Sequence, residues 1–436
     1  MNHGEVANDD AGPAREAVYR KVLGRLMPFL MVCYLFAYID RSNIGLAKLG
    51  FMHELGFDEA VYGLAGGFFY LGYTLFSVPS NLMVARIGVR KSLLRMMCAW
   101  GIFSAALALV SSPIEFYVLR FLVGAAEAAF LPGVLLFLSR WAPQSRRARF
   151  NAFFLAAIPI SGVVGGPLGA LILSQTDGLG GWAGWRWLFV VEGLPAAILG
   201  VVAWRYLRER PQDAPWLDEA EKAQIAADID AESRDRAGHA RHGSTWRALL
   251  DRRFLALAPM SVAAIAGSAA IGLWFPSMLR AAGVADATWV ALLTTLPYAV
   301  AIAAQYLVAR SSDRTGERRW HSAGPVLVAA LAWLLVPQAS HNVPLLLGLM
   351  TIIAMGTFAV TGPFWSMPTA LLSGTAAAAG IATISTCGGL GAFFAPAIVG
   401  MLAKSQSFDA GAWFYAGLLA AGALALLAGT AGKQPA

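Results

Sequence analysis

The chain has 436 residues, of which 58% are hydrophobic and only 14% charged, against about a quarter charged in ordinary soluble proteins. So much apolar surface excludes a water-soluble enzyme and indicates an integral membrane protein. The net charge of +7 does not mark a nucleic-acid binder, because the basic residues fall in short clusters between apolar runs, as they do in the cytoplasmic loops of membrane proteins.

Residues 1–23 form a polar tail. The first apolar run starts too late and runs too long for a cleavable signal, so it reads as an uncleaved first span. A crossing helix needs about 20 apolar residues, and lone strands cannot satisfy their backbone in lipid. The sequence therefore predicts an all-α membrane protein with twelve crossings.

Span 1 is predicted over 24–47, and Asp40 and Arg41 stand in its apolar interior. Asp40 lies roughly 22 Å along the helix from Arg25 at 1.5 Å per residue, still inside the membrane. Span 2 (60–84) ends in a basic loop containing Arg86, Gly88 and Arg90. Span 3 covers 92–110. Span 4 (114–139) carries Arg120 and Glu127, two helical turns apart and so on one face. Span 5 covers 149–173. Span 6 (186–207) holds Glu192 near its start, where a structural role is expected.

Residues 208–253 break the pattern, with LDEAEKAQIAADIDAESRDRAG dense in both signs of charge. They read as a cytoplasmic linker, partly an amphipathic helix, between two halves at 24–207 and 254–430. Spans 7–12 are predicted at 254–279, 288–309, 322–338, 344–372, 378–402 and 411–430, before a tail at 431–436. Span 8 ends in a second basic loop with Asp313, Arg314, Gly316 and Arg318. Arg86 and Arg314 are 228 positions apart, and the same offset carries span 1 onto span 7 and span 4 onto span 10. Such parallel halves describe a rocking transporter with a mid-membrane site between them. Lys and Arg cluster on alternate loops, which puts both termini in the cytoplasm.

Cys33, Cys98 and Cys387 each lie in an apolar run, with no disulfide framework or metal-ligand spacing. No metal or cofactor is expected. All six histidines fall outside the central membrane, and spans 7–12 carry no central acidic residue. The buried proton carriers are therefore sought among Asp40, Glu127 and Glu192. A guanidinium suits a carboxylate, often with two parallel hydrogen bonds. Protonating the two acids Asp40 and Glu127 would leave Arg41 and Arg120 as two positive charges for an anion to satisfy. The competing reading of the four residues is a structural ion-pair network.

The basic loops resemble the loop motif of the major facilitator superfamily, G-x-x-x-D-R-x-G-x-R-R. The second copy matches from Asp313, with Ala309 for the leading Gly. In the first, Asn81 replaces Gly and Ala85 replaces Asp. Gly162-Val-Val-Gly165-Gly166-Pro167-Leu-Gly169 is similar to the family's kink motif. A narrower likeness, over residues 20 to 430, is to the anion:cation symporter family. It rests on Tyr38-Ile-Asp40-Arg41-Ser-Asn43-Ile-Gly45, Val78-Pro79-Ser80-Asn81, Arg120-Phe-Leu-Val-Gly124-Ala-Ala-Glu127, Trp185-Arg-Trp187-Leu-Phe-Val-Val-Glu192-Gly193 and Pro363-Phe364-Trp365.

The resemblance implies two parallel six-helix halves. It also implies proton coupling through Asp40 and Glu127, and substrate contacts from Tyr38, Arg41 and Arg120, with Tyr73 a further candidate. From the second half, Phe364, Trp365, Ser385 and Thr386 are candidate contacts. Related carriers often have Asn near Ser385 and an acid at Ser77, and these departures leave the substrate open. The expected function is proton-driven import of a small organic carboxylate across a bacterial inner membrane by a monomer. Hydroxy or sugar acids such as tartrate or galactonate come first, and aromatic acids second. The alternatives are an exporter of drugs or metabolites on the same fold, a polytopic membrane enzyme, for which no catalytic cluster is visible, and a sensor, for which no signalling domain is visible.

Overall fold

A computed structural model describes residues 11–239, 252–371, 374–405 and 408–430. The tail predicted at 431–436, residues 1–10 and the linker's 240–251 lie outside them. Among the described residues, twelve helices are long and apolar enough to cross a membrane. These are α1 (Arg15–Leu55), α2 (Glu59–Ile87), α3 (Val89–Leu109), α4 (Pro113–Ser139), α5 (Phe153–Thr176) and α6 (Gly184–Tyr206) in the first half. The second half holds α7 (Leu257–Ala281), α8 (Ala287–Thr315), α9 (Arg319–Ala339), α10 (Val343–Pro368), α11 (Gly380–Lys404) and α12 (Phe408–Gly429). Every predicted span is present, and an even number of crossings brings the start of α1 and the end of α12 to one face, here the terminal face.

The helix ends at the opposite face are set by capping chemistry. Asp58 accepts from the Val61 amide ahead of α2, and Asn342 from Leu345 ahead of α10. Ser112 and Glu115 form a reciprocal capping box at α4, satisfying amides that have no partner in the first turn. α4 is interrupted after Glu127, where Ala129 leaves helical geometry (φ −107°, ψ 10°).

α1 starts nine residues before the predicted span. Its extra turns are held by the helix Glu219–His239 of the linker. Arg15 binds Asp228 at 2.6 and 3.0 Å, Tyr19 donates to the same carboxylate at 2.7 Å, and Lys21 binds Glu221. Trp141 of the α4–α5 loop stacks on Trp216 with centroids 5.6 Å apart. The linker helix is thus fastened to the first half.

The halves meet along glycines near the opposite face. Gly63, Gly67, Gly389 and Gly400 bring α2 against α11. A Cβ on Gly63 would strike the Pro396 carbonyl, one on Gly400 the Glu59 carbonyl, and one on Gly389 the Thr74 side chain. Gly45 lies against Gly272 between α1 and α7, and Gly166 against Ala291 between α5 and α8. The α2–α11 ladder stops at Thr74. One turn nearer the terminal face, Val78 on α2 and Ser385 on α11 are both exposed. The two halves are therefore closed at the opposite face and part toward the terminal face.

Candidate functional site

Asp40 and Arg41 are neighbours on α1, so their side chains diverge by about 100° around the helix. Asp40 is buried and turns toward α3 and α6. Its carboxylate accepts from the Ser104 hydroxyl and, at 3.4 Å, from the Asn43 amide. Asn43 stands between Asp40 and the buried Glu192 of α6. Arg41 turns the other way, toward α4. Its Nε donates to Oε1 of Glu127 at 2.9 Å, and its Nη2 lies 2.6 Å from the same oxygen in the ion pair. The second oxygen, Oε2, is buried with no hydrogen-bond partner among the described residues.

Arg120, two turns before Glu127 on α4, is as deeply buried, at 2% exposure. Its Nε and Nη1 find no hydrogen-bond acceptor among the described residues. Leaving such donors buried costs on the order of 1–3 kcal/mol each, more for a charged group. The guanidinium sits 4.9 Å from the Phe69 ring centre, and that of Arg41 5.5 Å from the same ring. One aromatic ring of α2 thus carries both cations. Arg41 also lies over Tyr38 at 4.6 Å and Tyr73 at 5.1 Å, contacts that favour a cation electrostatically. Tyr38, Arg41, Tyr73, Arg120 and Glu127 are brought together, and Asp40 is close enough for its charge to act on Arg120.

The four charges do not pair as their spacing on α4 invites. Glu127 serves Arg41 rather than its helix neighbour Arg120. Breaking a buried pair by deleting one partner costs roughly 3–5 kcal/mol, so neither Arg41 nor Glu127 can be removed without stranding the other.

The second half is placed differently. Phe364 is buried in its own half, edge-on to Trp365 with ring centres 5.2 Å apart. Trp365 is half-buried. Ser385 continues the α11 face that carries Gly389, and is exposed where α2 and α11 part. Thr386 falls on the stripe with exposed Leu390 and Phe394. None of these four contacts the charged cluster directly in this state. Tyr298 of α8, which the sequence reading passed over, reaches Gly162 of α5 across the interface.

The two loops of the terminal face solve one problem in two ways. In the second, Asp313 binds Arg318 at 2.6 Å and Gly316 takes φ +68°, with Arg314 exposed. In the first, Gly88 turns the chain at φ +86° and Arg86 is exposed. The acid missing at Ala85 is supplied by Glu209, from just beyond α6. Glu209 accepts from the Val89 amide at 2.9 Å and the Arg90 amide at 3.1 Å, and pairs with Arg140 just beyond α4. The Arg90 side chain is held on the Trp204 carbonyl. Glu209 and Ser104 escaped sequence reasoning, and Asn43 was quoted only as part of a motif, with no role given to it. No group of three or more His, Cys, Asp or Glu residues that could hold a metal occurs among the described residues.

Comparison with known proteins agrees with this architecture. The profile of the Major Facilitator Superfamily matches residues 30–396. A proposed tartrate transporter of Agrobacterium vitis is 43% identical over 97% of this chain and 93% of its own. A quinolone resistance transporter of Acinetobacter baumannii is 35% identical over 91% of each. The partially occluded, inward-open xylose transporter XylE of E. coli superposes with a TM-score of 0.73 at 13% identity, over 94% of this chain and all of that one.

Proposed function

The chain belongs to the Major Facilitator Superfamily, and from that premise we propose that it imports a small organic carboxylate together with protons. One observation carries the reading: Arg120 is buried beside the Arg41–Glu127 pair, and its Nε and Nη1 have no hydrogen-bond acceptor among the described residues. The substrate carboxylate binds Arg120, and a proton arriving on Glu127 releases Arg41 to bind it as well. Asp40, one position along α1, takes the second proton. With both acids neutral, the two guanidiniums carry charge that the anion cancels, so loaded and empty carriers can both rock between states. A loaded site with ionised acids would bury unpaired negative charge, which is costly in low dielectric. That asymmetry couples proton to anion.

Tyr38 and Tyr73 shape the first-half wall, and Trp365 and Ser385 close over the ligand from the second half as the halves come together. Two guanidiniums sharing one ring favour an acid with two carboxylates or a carboxylate and vicinal hydroxyls. Tartrate is the first candidate, in keeping with the name of the Agrobacterium relative; nicotinate represents aromatic acids. The terminal face is cytoplasmic and the membrane is the bacterial inner membrane. A cysteine introduced at Gln212, just beyond α6, should resist an impermeant label in intact cells.

The test is uptake of radiolabelled L-tartrate into proteoliposomes holding the full chain. Uptake should rise as external pH falls and collapse with a protonophore. The quinolone resistance relative favours a second reading, export of an amphipathic compound. Cells expressing the chain would then accumulate less fluoroquinolone and take up no tartrate, galactonate or nicotinate, an outcome that would replace the first reading.

A further inference from the structure

Seven residues beyond Arg41, α1 carries a second buried cation. Lys48 is 3% exposed. A separation of seven is two turns, so it stands on the same face as Arg41, about 10 Å nearer the opposite face. The two are set alike. Arg41 lies over Phe69 and Tyr73 of α2, and Lys48 lies 4.4 Å from the Tyr62 ring, two turns before Phe69. Arg41 has Glu127, and Lys48 has Glu59 at 2.5 Å. The difference is the fourth wall. Lys48 is capped by Trp274 of α7, its ammonium 4.9 Å from that ring.

Trp274 belongs to the other half and is anchored there, with its indole N–H donating to Tyr415 at 3.3 Å. Tyr62 donates across the interface to the Leu273 carbonyl at 2.7 Å. When the halves part at the opposite face, Lys48, Glu59 and Tyr62 stay with the first half while Trp274 leaves. An ammonium has three donors, and Glu59 takes one. The uncapped Lys48 then presents donors toward the opening, on the helix face that leads to Arg41.

We infer that Lys48 and Tyr62 form an outer waiting site for a carboxylate, covered by Trp274 in the closed state and opened when the halves part at that face. The anion docks on Lys48 beside Glu59 and passes two turns down α1 to Arg41 and Arg120. The inference rests on the carboxylate reading above. It predicts a sidedness that a site shared equally by both faces lacks.

The experiment compares L-tartrate transport in right-side-out and inside-out membrane vesicles. Wild-type transport in both is the first check; its absence, with galactonate and nicotinate also refused, would strike the carboxylate reading itself. Given wild-type transport, Lys48→Gln should raise KM about tenfold in right-side-out vesicles, the loss of one charge-assisted hydrogen bond. KM in inside-out vesicles should stay near wild type, and Lys48→Arg should restore most of the loss. The double variant Lys48→Gln/Glu59→Gln leaves no lone charge and should show the same one-sided rise. Lys404→Gln is the control for gate closure, because Lys404 of α11 pairs with Asp58 across the same face at 2.6 Å. If Lys404→Gln reproduces the one-sided KM, Lys48 acts by closing the gate and the waiting site is refuted. An unchanged KM, or an equal rise in both vesicle types, refutes it as well.

Discussion

The first half buries Asp40, Lys48, Arg120, Glu127 and Glu192, whereas the described residues of the second half bury serines and threonines but no charge. Yet the two halves are the same six-helix arrangement run twice. The fourth span of the first half is interrupted after Glu127, whereas its counterpart α10 keeps helical angles through Val360. Repeated scaffolding therefore does not divide the chemistry equally. A charge buried within the bilayer is expensive, and keeping the cluster on α1 and α4 lets its members compensate one another without help from a half that moves. The second half can then slide over Asp40, Arg41, Arg120 and Glu127 as an apolar wall, without stripping those ions of their partners at each cycle.

The sharpest way to break this contrast is at Arg120. Arg120→Ala should reduce tartrate uptake by about a hundredfold or more, and Arg120→Lys by roughly tenfold or more, because an ammonium keeps the charge but not the planar fork. Near-normal uptake in purified, folded Arg120→Lys would move the site elsewhere.

Next come the acids. Asp40→Asn and Glu127→Gln should both fail to accumulate tartrate against a gradient in response to an inward proton gradient. Glu127→Gln should still perform counterflow exchange, which needs alternating access but no net proton movement. Accumulation that survives in both would return the four charges to a purely structural role.

A smaller effect should come from the interface. In Gly45→Leu the new side chain collides with the Gly272 carbonyl, so the opposite face cannot close fully. Transport should fall several-fold, and a cysteine at Leu46, now buried, should react faster with an impermeant reagent added at that face. Unchanged reactivity would mean that α1 and α7 do not form the seal.

The smallest effects are expected in the apolar wall. Trp365→Phe and Ser385→Ala should change KM less than about fivefold and leave the proton dependence intact, the magnitude of one neutral hydrogen bond or a modest packing change. Loss of coupling in either variant would show that the second half shares the proton chemistry after all.

Much of this was legible in the sequence. Apolar runs of crossing length located all twelve helices, and the two-turn spacing of Arg120 and Glu127 placed both in the interior. What periodicity cannot supply is the partner across a helix interface. It gives the face a residue occupies, not which neighbour stands opposite. Hence Glu127 turned out to serve Arg41, Asp40 to rest on Ser104, and Glu209 to replace an acid missing some 120 positions upstream. Lys48 was passed over because, at the end of a predicted span, it looks like an interfacial lysine. Its burial depends on Trp274, which lies far along the chain. The helix Glu219–His239 reads as amphipathic, but its attachment to α1 rests on Asp228 and Glu221 meeting Arg15, Tyr19 and Lys21, a tertiary match.

The wedge between α2 and α11, sealed down to Thr74 and open below it, has a pharmacological consequence. On the carboxylate reading, a rigid, bulky carboxylate arriving from the terminal face would enter the wedge, and the halves would then be unable to close around it. Such a compound would occupy the carrier without being carried. It would be a one-sided competitive inhibitor whose potency grows with the girth that disqualifies it as cargo.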